Sequence, residues 1–427
     1  MQRRQFLRIA GGGVIAAASA TLFTGCSSAM PPAAIAAWQG PGTETDLRRW
    51  VLSHAILAPH SHNLQSWLVD LGVADQITLF LDRTRLLPET DPYSRQMMMS
   101  QGTFLELLDL AARQRGLRAE VELFPEGVFD ARSVDGRPTA RLRLVPDAAV
   151  RPDPLFAQIF HRHTNREAYG QRAPEAAALQ AVAASVAPHG VRVGFIDGAQ
   201  PDVLQRHRAI AMEAWRIEMS TPRTLLESYQ VLRIGPREIT QHRDGIAIND
   251  PLLRAITALG LFDRSQPSAP DSMAVSGQID DFNAKLASTP AFFWMVTEGN
   301  DRRTQINAGR AYVRAQLAAT AQGLSMHPLQ QALEELLPAD TDRQARVRWQ
   351  QHVIQQWRDH AYLLPARLPS LPLDWQAFAA AMPAFADDIA GDWLFDTSKF
   401  ADNDCQINGR MTFTATKVKN TYTCLFV

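Results

Sequence analysis

The sequence has little that coordinates metal or forms crosslinks. Its 427 residues include three cysteines, Cys26, Cys405 and Cys424, and no C-x-x-C. A zinc ribbon or a thioredoxin-like site needs that spacing, so neither is expected. Charge of one sign is also missing. Forty-three lysines and arginines stand against 44 aspartates and glutamates, a formal net charge of -1. Such a balance gives no general grip on nucleic acid, and no nucleic-acid partner is expected. No G-x-S-x-G occurs, so the nucleophile elbow of α/β-hydrolases is absent. Past the N-terminus no run approaches the length of about 20 apolar residues that a spanning helix needs.

What is present begins with Arg3-Arg4-Gln5-Phe6-Leu7-Arg8 and a Gly/Ala-rich apolar run from Ile9 to Gly25. Residues 1–25 resemble a twin-arginine export signal. The small residues before Cys26 resemble a lipoprotein cleavage site. Either Cys26 carries lipid or the signal is simply cut. The expected location is the periplasm, with membrane attachment through a lipid on Cys26 in the first case. Residues 26–45, rich in Pro, Ala and Gly, read as a tether.

Periodicity divides the remainder. Thr45 or Asp46 caps a helix with Leu47, Trp50, Val51, Ala55 and Ala58 on its apolar face. Trp67 to Leu71 and Ile77 to Leu81 read as a hairpin. A helix from Met98 to Arg115 stops at Gly116, and Val121 to Leu123 and Ala140 to Leu144 alternate as strands. A second cycle has helices over Pro174–Val186, Pro201–Met219 and Arg303–Gln322. Its strands are Val191–Phe195 and the apolar Ala291–Val296, fit for a sheet centre. Leu232 to Asn249 reads as a polar, turn-rich excursion. The fold class is α+β, a central mixed or antiparallel sheet flanked by helices. The expected divisions are 46–150 and 151–360 as two fused halves and 361–427 as a divergent tail. In that tail, Asn408-Gly409 suits a hairpin turn, and Cys405 and Cys424 either pair or stay free.

The stretch Pro59-His60-Ser61-His62-Asn63-Leu64-Gln65-Ser66-Trp67 gathers directed hydrogen-bonding groups at a helix–strand junction. Three chemistries compete. His60-x-His62 and His161-x-His163 could each offer two metal ligands, but Arg162 and Arg166 would repel a cation. Ser61 beside His62 is poorly placed for a hydrolytic triad. Arg162, Thr164 and Arg166, at alternate positions, suit a phosphate, and Asn63 and Gln65 suit the edge of a flat polar ring.

The loop resembles the P-S-x-x-N-x-Q-P-W segment of the FMN-dependent nitroreductase superfamily. Arg162-His163-Thr164-Asn165-Arg166 resembles its R-R-S-x-R phosphate segment, and Gly323-Leu324-Ser325 resembles its flavin-facing turn. The order, loop before arginine segment, is similar to a branch of exported single chains in which two halves are fused. The resemblance implies a nitroreductase-like fold and a monomer that is pseudo-dimeric. It implies FMN as cofactor: Arg162, Thr164 and Arg166 on the phosphate, Ser61, His62, Asn63 and Gln65 at the ring edge, and Gly323, Leu324 and Ser325 along the ring. It further implies transfer of two electrons from an unidentified donor to a small acceptor such as a nitroaromatic or a quinone, with no side chain acting as acid or base. A flavin-sequestering protein with little turnover, or a secreted protein that kept the fold and lost the cofactor, are the alternatives. Ser66 stands where the family has proline, which should loosen the loop, and His60 replaces a small residue. Trp67 is expected to pack beneath the loop.

Overall fold

The computed structural model describes residues 28–170 and 172–333, together with the backbone of 392–395, 409–412 and 422–426. The signal, Cys26 and Cys405 lie outside the described residues, as do 334–360 and most of the tail.

Helix α1 (Leu47–Ala55) starts where the sequence places it, with the Asp46 carboxylate accepting from the Arg48 N–H at 2.8 Å. Strands β1 (Trp67–Asp70) and β2 (Gln76–Leu81) pair antiparallel, Trp67 opposite Leu81. Helix α2 (Arg95–Gln114) follows, then β3 (Leu117–Leu123) and β4 (Ala140–Pro146). The four strands form one antiparallel sheet in the order β1-β2-β4-β3.

The chain continues through α3 (Ala176–Ser185), β5 (Arg192–Ile196), α4 (Pro201–Ser220) and α5 (Pro222–Gln230). Next come β6 (Leu232–Ile234), α6 (Gly235–Gln241), β7 (Ile246–Ile248), α7 (Pro251–Ala258) and α8 (Met273–Ala287). Strand β8 (Phe292–Thr297) and helix α9 (Arg302–Ala321) close this part. In the tail, β9 (Asp392–Phe395) pairs antiparallel with β10 (Gly409–Thr412), and β11 (Tyr422–Phe426) pairs antiparallel with β8.

Three expectations need correction. No single central sheet organises the described residues. The second sheet is separate, three antiparallel strands in the order β11-β8-β5. All six residues of β8 are buried, as a middle strand requires. The excursion at 232–249 is instead a small βαβ unit, β6 and β7 running parallel in register Leu232 with Ile246. Its isoleucines make short strands that polar neighbours conceal from a composition count. Gly409 opens β10 instead of sitting in a tight turn. Within residues 26–45, the Trp38 ring lies beneath the Arg162 guanidinium at 5.6 Å.

The core is organised by α2 and α9. Every residue from Arg95 to Ala112 is buried, so α2 is enclosed on all sides. The two helices approach backbone to backbone. A Cβ on Gly102 would fall on the carbonyl of Ile306, and one on Gly309 would fall on the carbonyl of Met99. Glycine within a helix costs about 1 kcal/mol relative to alanine, and here the contact distance demands it.

Beside the crossing sits Glu106, 2 % exposed. Its carboxylate accepts from Arg310 Nε at 2.7 Å and Arg314 Nη1 at 2.9 Å, with His189 Nε2 at 3.1 Å. Arg314 also reaches Asp153 at 2.8 Å and the Ser185 carbonyl at 2.8 Å. Burial pushes the Glu106 carboxyl up, but the His189 contact and the charge of Arg310, with the Arg314 bond, hold it down at about 2.

Two outcomes follow. Gly309→Ala should destabilise the chain by about 1–3 kcal/mol through overpacking against the Met99 carbonyl, measured as a lower urea midpoint. For Glu106, the unfolded carboxyl titrates near 4.5 and the folded one at about 2, so its stabilisation is complete above pH 4.5 and is lost as pH falls towards 2. That amounts to about 3 kcal/mol by linkage. Glu106→Gln should therefore be the less stable chain at pH 7, and the two unfolding curves should converge on acidification.

Candidate functional site

The loop between α1 and β1 is held in an unusual backbone. His62, Asn63 and Gln65 all adopt left-handed φ, at 48°, 53° and 51°. Such a conformation in non-glycine residues persists only when surrounding contacts fix it. Here they are plain. The Ser61 N–H meets Ser100 Oγ at 3.2 Å, and its hydroxyl donates to Gln96 Oε1 at 3.1 Å, both on α2.

His60 and Ser66 stitch the loop to itself. His60 Nδ1 lies 2.8 Å from the Ser61 carbonyl, which makes Nδ1 the protonated nitrogen. Its Nε2 then accepts from the Ser66 N–H at 3.1 Å and the Ser66 hydroxyl at 2.6 Å. Ser66 is fully buried, and its carbonyl accepts from Gln101 Nε2 at 3.0 Å and the Asp82 N–H at 2.9 Å. A proline has no N–H for this bond. The two departures from the family loop are thus one paired exchange, and it tightens the loop where loosening was expected. Both His60 nitrogens are engaged, which removes it from any ligand pair with His62. Burial, helped by His62 and Arg85, lowers the His60 imidazole to about 4, so it is neutral at pH 7. Trp67 packs against Phe104 at 5.1 Å, under the loop.

Asn63 and Gln65 face the 243–245 turn. Asn63 Nδ2 donates to the Gly245 carbonyl at 3.0 Å, the Gly245 N–H returns to the Asn63 carbonyl at 2.9 Å, and Gln65 Nε2 donates to the Arg243 carbonyl at 2.7 Å. Asp244 anchors that turn by ion pairs to Arg85 at 3.0 Å and Arg233 at 3.2 Å.

The arginine segment and the Gly-Leu-Ser turn come together. Thr164 forms a parallel bridge with Met326, and the Asn165 N–H donates to the Met326 carbonyl at 2.9 Å. Gly323, at φ 70°, ends α9, and the Leu324 N–H returns to the Ala319 carbonyl at 2.8 Å. Leu324 packs on the core and Ser325 is exposed.

The arginines divide. Arg162 turns inward: Nη2 donates to the Leu57 carbonyl at 2.8 Å and Nη1 to Gln316 Oε1 at 3.1 Å. Burial lowers its guanidinium to about 10. It braces the end of α1 to α9, a different task from the phosphate contact expected of it. Arg166 has no hydrogen bond or ion pair among the described residues. Its charge, after burial, helps lower His62 to about 4 and His327 to about 3, so both are neutral near it. His327, Tyr169 and Lys285 line a cleft with Arg166. Sequence reading passed over these three; the one available signal was that His327 directly follows the Gly-Leu-Ser-Met turn.

No family model matches the chain. Two curated proteins from different strains of Mycobacterium tuberculosis, both named "Putative NAD(P)H nitroreductase", are each 28% identical over 298 residues, covering 67% of this chain and 76% of theirs. The chain is distantly homologous to these nitroreductases. A nitroreductase-like α+β fold and an oxidoreductase reading rest on that homology, and nitroreductases typically bind flavin.

Ser66→Pro should destabilise this chain by about 1–3 kcal/mol, because it leaves His60 Nε2 without its donors. A thermal or urea unfolding curve reads this directly. An unchanged midpoint would show that the His60–Ser66 pair contributes nothing.

Proposed function

We propose that this chain is an exported, FMN-binding oxidoreductase of nitroreductase type, passing two electrons to an electrophilic small molecule such as a nitroaromatic or a quinone. The observation that carries the reading is the convergence around Arg166 of three segments far apart in sequence. Thr164 is bridged to Met326, and His62 is close enough to feel the Arg166 charge. Among the described residues Arg166 forms no ion pair, and although Glu167 lines the same cleft, an arginine and Lys285 beside neutral histidines offer chemistry suited to an anion.

The fit to FMN is uneven along the cofactor. At the phosphate end it is good: Arg166 would supply the guanidinium and Thr164 a hydroxyl. At the ring end, Asn63 and Gln65 are donors of the right type, but their amides already meet the carbonyls of Gly245 and Arg243. Those carbonyls are acceptors of the kind a flavin ring edge also carries. Occupation of the ring end therefore requires the loop to exchange one set of acceptors for another. Bound FMN would supply the two-electron redox chemistry. The residues' part is to bind and orient: Arg166 and Thr164 would fix one end, and the half-buried Ser61, bonded to Ser100 and Gln96 on α2, limits how far the loop can shift.

The same amide bonds favour a second reading, a protein of this fold that holds flavin without turnover or no longer holds it. The absorbance spectrum of the purified chain and an FMN titration decide between these. The proposal expects a flavin band. It also expects Arg166→Ala to weaken FMN by about 1.5–3 kcal/mol, the range for a charged hydrogen bond, with riboflavin affinity unchanged because it lacks the phosphate. A colourless chain that takes up no FMN overturns it. If flavin binds, anaerobic reduction followed by a nitro compound tests turnover: flavin that stays reduced favours the sequestering protein.

A further inference from the structure

The fold leaves an apolar face uncovered beside the point where the described chain begins. Helix α7 has no buried residue. From Pro251 to Leu261 the sequence Pro-Leu-Leu-Arg-Ala-Ile-Thr-Ala-Leu-Gly-Leu carries one charged side chain, Arg254. Leu252 and Leu259 are seven residues apart and so share a face of the helix, with Ala255 and Ile256 between them.

The helix ends at Gly260, φ 70°, with its N–H on the Thr257 carbonyl and the Leu261 N–H on the Ile256 carbonyl, both at 3.0 Å. In this ending the apolar residue after the glycine commonly folds back over the last turn. Leu261 does not: it is 74% exposed, and Leu259 is 73% exposed. Met273, the first residue of α8, is 72% exposed. Phe262 and Val275, close in sequence to Leu261 and Met273, pack in one cluster, which brings the two segments that carry the exposed pair together. Apolar side chains grouped in this way mark a contact surface.

The N-terminal segment indicates what covers it. Asn249, two residues before α7, donates from Nδ2 to the Ala29 carbonyl at 2.6 Å. Cys26 is three residues further back, a reach of about 10 Å at most. Helix α7 itself is about 12 Å long. A lipid on Cys26 would thus leave the body next to this face. Among the described residues no helix is long and apolar enough to cross a membrane. A tether makes a second, weak contact intramolecular and raises its effective concentration.

We propose that the face formed by Leu252, Leu259, Leu261 and Met273 is a membrane-contacting surface that rests in the headgroup region of a bilayer, beside the anchor at Cys26. The choice of a bilayer over other partners rests on the proposed export and lipid attachment. The face is tested without the lipid. The chain without the signal residues 1–25 and carrying Cys26→Ser is mixed with vesicles of phosphatidylethanolamine and phosphatidylglycerol and floated on a density gradient. The same chain with Leu259→Asp and Leu261→Asp is the comparison, both sites being exposed enough to leave the fold intact, which circular dichroism checks. The expected result is at least tenfold weaker partition for the double aspartate chain. Equal partition, or none by either chain, overturns the proposal. So does sedimentation that shows a dimer split by the aspartates, which would assign the face to a second copy. Mass spectrometry of the exported wild-type chain is read separately: absence of an acylated Cys26 refutes the anchor, while the vesicle comparison still judges the face.

Discussion

The crossing of α2 and α9 is the constraint on which the remaining structure depends. Two glycines let the backbones touch, and one buried carboxylate then gathers the cations that the contact would otherwise leave unpaired. The order of these effects matters. Burying Glu106 alone would be costly, and close packing alone would leave Arg310 and Arg314 facing each other's charge. Together they fix the axial position of α9 against α2. Asp153, Ser185 and His189 are drawn to the same point, so the start of the second half is set by the same cluster.

The candidate site inherits that placement. Its loop is fastened to α2 through Gln96, Ser100 and Gln101, and its arginine segment to α9 through Gln316. The site is thus suspended between the two helices. Three left-handed residues in the loop are tolerated because each side chain or carbonyl nearby has a fixed partner. The His60–Ser66 pair belongs to this scheme. It replaces a covalent restraint, the proline ring, with two hydrogen bonds from one residue to a neutral imidazole.

Much of the fold was legible where the pattern is local. The Asp46 cap, the hairpin from Trp67 to Leu81 and the length of α9 follow from nearest neighbours and periodicity. What failed was long-range. Nothing local to Arg162 says that its guanidinium meets Leu57 and Gln316, and an arginine two residues from Thr164 reads equally well as a phosphate ligand. Arg166 has the same sequence context and the opposite surroundings. Asn63 and Gln65 could be picked as directed donors, but not assigned an acceptor, because the Arg243–Gly245 turn arrives from a segment whose polarity concealed two strands. The separate sheets were misjudged for a related reason: alternation identifies a strand but not the sheet it joins.

The α2–α9 contact also governs how the molecule comes into being. Glu106 and Arg310 are separated by 204 positions in the chain. At ribosomal rates of about 5–20 residues per second, α2 is made about 10–40 s before its partner exists. During that interval a helix destined for enclosure on all sides has no permanent neighbour for one of its faces. The α2–α9 contact is thus complete only with synthesis of the second half, 204 positions after Glu106.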